Sequence, residues 1–527
     1  MNHVNMDNWK KLYHDGTEVL ALQHDDTCIW AKEQTISGDL PLSVIPRQPK
    51  SIKDWTLYGK TVQNGTPTPD APIDIQGVGD RTANLLPIEP KTVYVRNVKV
   101  TLSFNEITLQ GTASGSGGRT TKLVDDFVLP AGTYHAKTDG NSSTAIFFLN
   151  KASDSSVISQ LSNHVITLEQ DTKVYVGVNF VEGGVYNETG ITIMLNTGST
   201  ALPYEPYGYK VTTTNKGKNL FEHPVYSEAT SQGLTFTPIE NGMLSVSGTP
   251  TGYTSFALCS TQKIPANLIG QPVTFNFVIR DIVNLTWGGI TIYDENQTIL
   301  YQYQGGSYAP HKITIPDNAD TMTATVKRIN NGVVTSGVIG LMLNLGSTAT
   351  AYEPYREPIT TTLYTDKPLY GTGTNLDYLQ RLADGSGVEH RAFAVKVFDG
   401  SEEWNKGNYP PTGGYQFFTP KPSGAAGYPD WLITHFKNRN EVNGSAFGSY
   451  LSLYPEVSIL PENATANDFK AWLAAQYAAG TPVTILYQLA TPTDTPVTLP
   501  AIATAEGTNV LDTNTTVKPS QVSVKTR

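Results

Sequence analysis

Two stretches of the chain decide the fold. The first reads Met194-Leu195-Asn196, Gly198-Ser199-Thr200-Ala201 and Tyr204-Glu205-Pro206-Tyr207; the second reads Met342-Leu343-Asn344, Gly346-Ser347-Thr348-Ala349 and Tyr352-Glu353-Pro354-Tyr355. The offset of 148 residues between Met194 and Met342 recurs between Tyr204 and Tyr352. Upstream, Ala83-Asn84-Leu85-Leu86 is echoed by Lys218-Asn219-Leu220-Phe221, and Ile107-Thr-Leu-Gln-Gly111-Thr112 by Leu244-Ser-Val-Ser-Gly248-Thr249. Leu129-Pro-Ala matches Ile264-Pro-Ala, and Ile166-Thr-Leu matches Ile313-Thr-Ile. The offset is 135 at the openings, a drift that loop insertions produce. A unit of ~125–140 residues is too long for a solenoid repeat of ~20–50 and suits an independent β-sandwich.

The repeat therefore predicts a mainly β protein with two tandem β-sandwiches. The domain boundaries expected are an N-terminal leader at 1–80, sandwiches at 81–210 and 216–358, a β-rich region with one helix at 364–490, and an extended tail at 491–527. Segments such as Val174-Tyr-Val-Gly-Val-Asn-Phe180 and Val273-Thr-Phe-Asn-Phe-Val-Ile279 carry the β-branched and aromatic residues of strands. Asp139-Gly140, Asn241-Gly242 and Asn331-Gly332 punctuate them as turns. Each sandwich is followed by a Thr-rich stretch, Val211-Thr-Thr-Thr-Asn215 and Ile359-Thr-Thr-Thr-Leu363, which reads more as an ordered strand than as a linker. In the leader, Leu12-Tyr-His14-Asp15-Gly16-Thr17 and Leu22-Gln-His24-Asp25-Asp26-Thr27 read as strands with Asp-rich turns, and Thr66-Pro-Thr-Pro-Asp-Ala-Pro72 as an extended stretch. One helix is expected over 466–479, with Thr465 and Asp468 as its N-terminal cap, Phe469, Trp472, Leu473 and Tyr477 as its apolar stripe, and Gly480 as its stop.

Composition narrows the class. The 527 residues exceed what one core holds, only 16% are charged, and 66 are Thr, a side chain suited to the wet face of a strand. With two cysteines, Cys28 and Cys259, a disulfide scaffold is excluded. A net charge of −10 lacks the basic footprint of nucleic-acid binding, so no nucleic-acid partner is expected. Met1–Asp15 has no apolar signal region, and no run of ~18 apolar residues occurs, so neither export nor a membrane span is expected.

In their order, these motifs resemble tail and baseplate appendage proteins of phages and prophages of Gram-positive gut bacteria. The residues that carry the resemblance are the leader segments ending in Ile29-Trp30, Tyr58-Gly59 through Asn64-Gly65-Thr-Pro67-Thr-Pro69-Asp70, the paired openings and closings, Pro368-Leu-Tyr370-Gly371-Thr-Gly373, Asp399-Gly400-Ser-Glu-Glu403-Trp404, and the helix leading into Leu486-Tyr487-Gln-Leu489-Ala490-Thr491-Pro492. It covers most of the chain. The resemblance implies a virion structural protein with carbohydrate-binding-module-like jelly rolls, made in the bacterial cytoplasm. It also implies partners among other tail proteins, contact with a host-surface glycan, and a homotrimer. It assigns no catalytic residues.

The residues themselves agree with a non-enzyme. No His-Glu-x-x-His, Cys-x-x-Cys, Gly-x-Ser-x-Gly or P-loop pattern occurs. Asp125-Asp126 and Glu402-Glu403 are adjacent carboxylates, which point to opposite faces on a strand and so do not suit joint glycosidase chemistry. A glycan depolymerase is the alternative reading; a purely structural spacer and a bacterial adhesin are the others. No metal or cofactor is assigned: His14 and His24 read as turn residues, and Ca²⁺ through Asp294 and Glu295 has oxygen ligands but no EF-hand spacing. Sugar binding calls for aromatic faces beside polar edges. Two clusters offer them: Tyr301, Tyr303 and Tyr308 around Gly305-Gly306, and Trp404, Tyr409, Tyr415, Tyr428 and Trp431 among Gly and Pro. The recurring Tyr204, Tyr207, Tyr352 and Tyr355 are expected to close the sandwiches.

Overall fold

The computed structural model describes residues 51–104, 106–140, 145–221, 229–239, 243–251, 255–257, 261–280, 285–305, 310–329, 335–427, 429–438, 441–504 and 509–525, together with the strands of the first fifty residues. Among the described residues the protein is mainly β, with several antiparallel sheets and one α-helix near the C-terminus.

The first sandwich packs a six-stranded sheet on a four-stranded one. The larger sheet runs Lys91–Val95, Val98–Leu102, Ile107–Thr112, Val185–Thr197, Gly132–Asp139, His164–Leu168; the smaller runs Lys122–Leu129, Thr172–Phe180, Ala145–Lys151, Val157–Gln160. Alternation fixes which face is inside: Val98, Val100 and Leu102 are buried while Lys99 and Thr101 between them are not. The second sandwich repeats the order. Ala229–Ser231, Leu234–Ile239, Met243–Gly248, Thr335–Leu345, Pro272–Arg280 and His311–Thr314 form its larger sheet. Ser255–Ala257, Thr321–Ile329, Leu285–Tyr293 and Ile299–Gly305 form the smaller, with Gln262–Lys263 added against Thr321–Ile329. Each sandwich has its own apolar core.

The Thr-rich stretches are strands, and they pair with each other. Tyr209–Gly217 lies between Ile359–Thr365 and Asn509–Asn514 and also pairs Asp80–Arg81. A seven-stranded sheet places Asp54–Tyr58 between Tyr378–Arg381 and Gln521–Lys525. Trp55, Leu57, Val211, Leu363, Leu511 and Val524 share one core. The segments expected to stand apart as leader and tail are thus, over 51–81 and 497–525, parts of one hub into which both sandwiches are inserted. The physical reason is pairing over distance. A strand such as Asp54–Tyr58 finds both of its hydrogen-bonded neighbours more than 300 residues away, and nothing local announces that.

The Pro-studded stretch differs from the extended form expected. Thr68 and Ala71 exchange backbone hydrogen bonds at 3.1 Å around Pro69-Asp70, because Pro at the second position of a turn and a small polar residue after it favour reversal. Beyond it, Ile73 N–H donates to Thr434 O at 2.8 Å, tying this stretch to the C-terminal region. That region holds the helix, Ala466–Ala478, with the expected capping box between Thr465 and Asp468. Phe469 and Leu473 are fully buried and Trp472 packs beside them, whereas Tyr477 lies outside the stripe and is exposed. Gly400, at φ +86, lets the preceding turn lie against the helix, where a Cβ would collide with the Lys470 carbonyl. Among the described residues no helix is long and apolar enough to cross a membrane.

Candidate ligand-binding surfaces

The repeated residues come first, because their geometry separates structure from recognition. Asn84 is buried. Its Oδ1 accepts from Leu86 N–H at 3.1 Å and Leu195 N–H at 3.2 Å, and its Nδ2 donates to Ile193 O at 3.2 Å. Asn219 does the same with Phe221 N–H (3.0 Å), Leu343 N–H (3.1 Å) and Leu341 O (2.8 Å). Each latches the first residues of its sandwich to the last long strand. Asn196 then donates to Thr200 O and Asn344 to Thr348 O, both at 3.0 Å, turning the chain back over the outer face of the larger sheet. The Tyr-Glu-Pro-Tyr blocks complete this strap. Glu205 accepts from Ala83 N–H at 2.7 Å and pairs with Lys210 at 2.6 Å, while Glu353 pairs with Lys218 at 3.6 Å. Burial pushes the phenols of Tyr204 and Tyr352 each up to about 12.

The first sequence-predicted cluster is a closure. Tyr301 and Tyr303 lie on one face of an edge strand, as their spacing predicts, but that face packs against the core of the second sandwich. The Tyr303 ring stacks on His311, across in the other sheet, with centroids 3.7 Å apart, and the Tyr301 hydroxyl meets His311 Nε2. Burial lowers the pKa of His311. Tyr308 lies outside the described residues.

The second cluster disperses. Trp404 is 5% exposed and set edge-on against Phe469, and Trp431 is 8% exposed beside Phe447. Both indoles fill the core of the C-terminal region and offer no face to a ligand, as the size of the ring makes usual. Tyr415 is partly buried: its hydroxyl donates to Pro461 O at 3.0 Å and Lys406 lies 5.1 Å from its ring. Tyr409 is 85% exposed. Tyr428 lies outside the described residues.

The carboxylates are occupied separately. Asp125 pairs with Lys91 at 2.8 Å, while Asp126 pairs with Lys122 at 2.5 Å, and that contact holds its pKa below the ordinary carboxylate range. Glu402 binds Lys396 at 2.9 Å, and Glu403 is exposed. Asp294 Oδ1 accepts from Asn296 and Thr298 N–H at 2.9 and 2.7 Å, ordering its own turn. Among the described residues no group of three His, Cys, Asp or Glu is placed to hold a metal. The side chains of His14 and His24 lie outside the described residues.

One surface went unnoticed in the sequence. Paired residues across four strands of the first sandwich's larger sheet put Tyr94, Lys99, Gln110 and Asn187 in one outward row. Their neighbours Val93, Val95, Val100, Leu109 and Tyr186 point the other way, into the core. Tyr94 is 70% exposed. The signal for it was the alternation of Lys91–Val95, which leaves an aromatic on the polar side of a strand.

Comparison with known proteins gives no family. No family model matches the chain, and no curated protein does. Among solved structures, a point-mutant VP2 protein of infectious bursal disease virus, in derived T=1 particles, is 9% identical, with 95% of this chain and 79% of that one covered, at a TM-score of 0.14. The VP2 subviral particle of the same virus is 8% identical, with 92% and 84% covered, at a TM-score of 0.11. Likeness at these scores carries no argument about fold or role.

Proposed function

We propose that this chain is a non-enzymatic structural protein of a phage tail or baseplate that helps hold the particle to a host-surface glycan. The observation that carries the reading is the hub. Both connectors that leave the sandwiches, Tyr209–Gly217 and Ile359–Thr365, are neighbouring strands of one sheet, shared with Asn509–Asn514. Each sandwich is thereby fixed at entry and exit to a common base instead of hanging from a flexible linker. Such mounting suits an appendage that presents two like domains at a set spacing, where linked weak sites gain avidity by ~10²–10⁴. The motif order described above supports the tail assignment. The separate neutralisation of Asp125, Asp126 and Glu402 by lysines favours adhesion over hydrolysis.

Electron microscopy of the particle with this chain labelled tests the assignment. Label at the tail tip or baseplate rim is expected; particles that lack the label would overturn it.

A further inference from the structure

The two sandwiches carry different chemistry at one matched place. In the second copy the positions equivalent to Tyr94, Lys99, Gln110 and Asn187 are Thr230, Thr235, Ser247 and Ser336, by strand order and by cross-strand register alike. The equivalence is fixed independently by Gly111 and Gly248, which follow Gln110 and Ser247 and hold φ +129 and +127. An aromatic, a cation and two amides in one copy thus face four small hydroxyls in the other.

We propose that Tyr94, Lys99, Gln110 and Asn187 form a binding site for an oligosaccharide bearing an anionic substituent, and that the second sandwich lacks this site. The proposal rests on the attachment role above and says which face performs it. Cross-strand partners lie on one face, and adjacent strands are ~4.8 Å apart, so the row spans roughly 14 Å, the reach of a short oligosaccharide. The Tyr94 ring supplies an apolar face for sugar C–H groups. Gln110 and Asn187 each offer an amide donor and acceptor, which match hydroxyl groups in either sense. Lys99 pairs with no carboxylate among the described residues, and its charge selects a carboxylate or phosphate on the ligand. Val185, two residues before Asn187 and 77% exposed, extends the apolar contact along the strand. In the second copy the Thr230 and Thr235 hydroxyls lie 3.4 Å apart and bond to each other. A pair that satisfies itself offers a ligand little.

The test is the full chain on a printed array of neutral, uronic-acid-containing and phosphate-substituted oligosaccharides. Binding is expected to favour one anionic arm, and which arm tells carboxylate from phosphate. Tyr94→Ala should weaken binding at least roughly tenfold. Lys99→Gln should erase the preference for anionic over neutral sugars, and Thr230→Ala should change nothing. All three side chains are at the surface, so unchanged melting confirms that the variants fold. If the chain binds sugars and Tyr94→Ala and Lys99→Gln leave binding intact, the site is overturned while the attachment reading stands. If the chain binds no arm and does not adsorb to host cells, both fall. If Tyr94→Ala instead dissociates an oligomer in sedimentation without altering sugar binding, the row is a contact between copies and the site is overturned.

Discussion

The two sandwiches differ least where side chains bond to backbone and most where they face outward or line an edge. Asn84 and Asn219 make the same three bonds, and Asn196 and Asn344 turn the same strap. The outermost strand of the smaller sheet is another matter. In the first copy, Val157–Gln160 closes the sandwich with Ile158, and Leu161 is buried just beyond it. In the second, Ile299–Gly305 closes it with Tyr301 and Tyr303, which cover His311. His164 begins the matching strand of the first copy and is exposed. A residue repeated in both copies is thus a poor guide to recognition here, and a residue that differs on an outward face is a better one.

The largest effect should come from removing a latch. Asn84→Ala leaves two buried N–H groups and a carbonyl without partners, a loss of about 2–4 kcal/mol, and Asn219→Ala should cost the same within error. Denaturant unfolding followed by a probe in each sandwich reads the two separately. Equal losses, each confined to its own copy, support two independent cores built on one plan. A loss under ~1 kcal/mol in either would mean that the repeated Asn is not what closes that sandwich.

What the sequence made legible follows the same division. The duplication, the strand-rich class and the capped helix all rest on local pattern, and local pattern survives in a single chain. The hub does not. Asn215 donates to Asn509 Oδ1 at 2.7 Å and to Ala503 O at 2.9 Å across almost 300 residues, and no periodicity foretells such a pair. The burial of two candidate sugar residues was hidden for a related reason. Trp404 and Trp431 sit among Gly and Pro in the sequence, yet both indoles point into the core. Exposure of a large ring depends on which sheet covers it, whereas Tyr94 lay on a strand whose alternation already marked it as outward.

A middling effect tests the edge. Tyr303→Ala removes a stacked ring and part of the core contact, and should destabilise the second sandwich by about 2 kcal/mol. Tyr303→Leu, which copies the aliphatic closure of the first sandwich, should cost less than about 1.5 kcal/mol. Melting of the two variants checks the order. If Tyr303→Ala melts like the wild type and loses sugar binding instead, the tyrosine pair is a ligand platform and the copies differ in more than packing.

The smallest effect, absent at neutral pH, concerns the straps. Tyr204 and Tyr352 are neutral in the fold, with burial holding each phenol near 12 against about 10 in the unfolded chain. A group whose pKa rises on folding gives stability that is complete below the unfolded value and is lost as pH climbs through the folded one. Both straps should therefore hold to pH 10 and loosen together between 10 and 12. Phenolate absorbance against pH reads this directly. Late-titrating tyrosines are expected, with Tyr370 in the hub among them because burial raises it also. Tyr204→Phe and Tyr352→Phe should each remove one late equivalent without moving the other. If either variant removes a tyrosine that titrates near 10, that strap is open to water, and the copies differ even in the element their sequences share most closely.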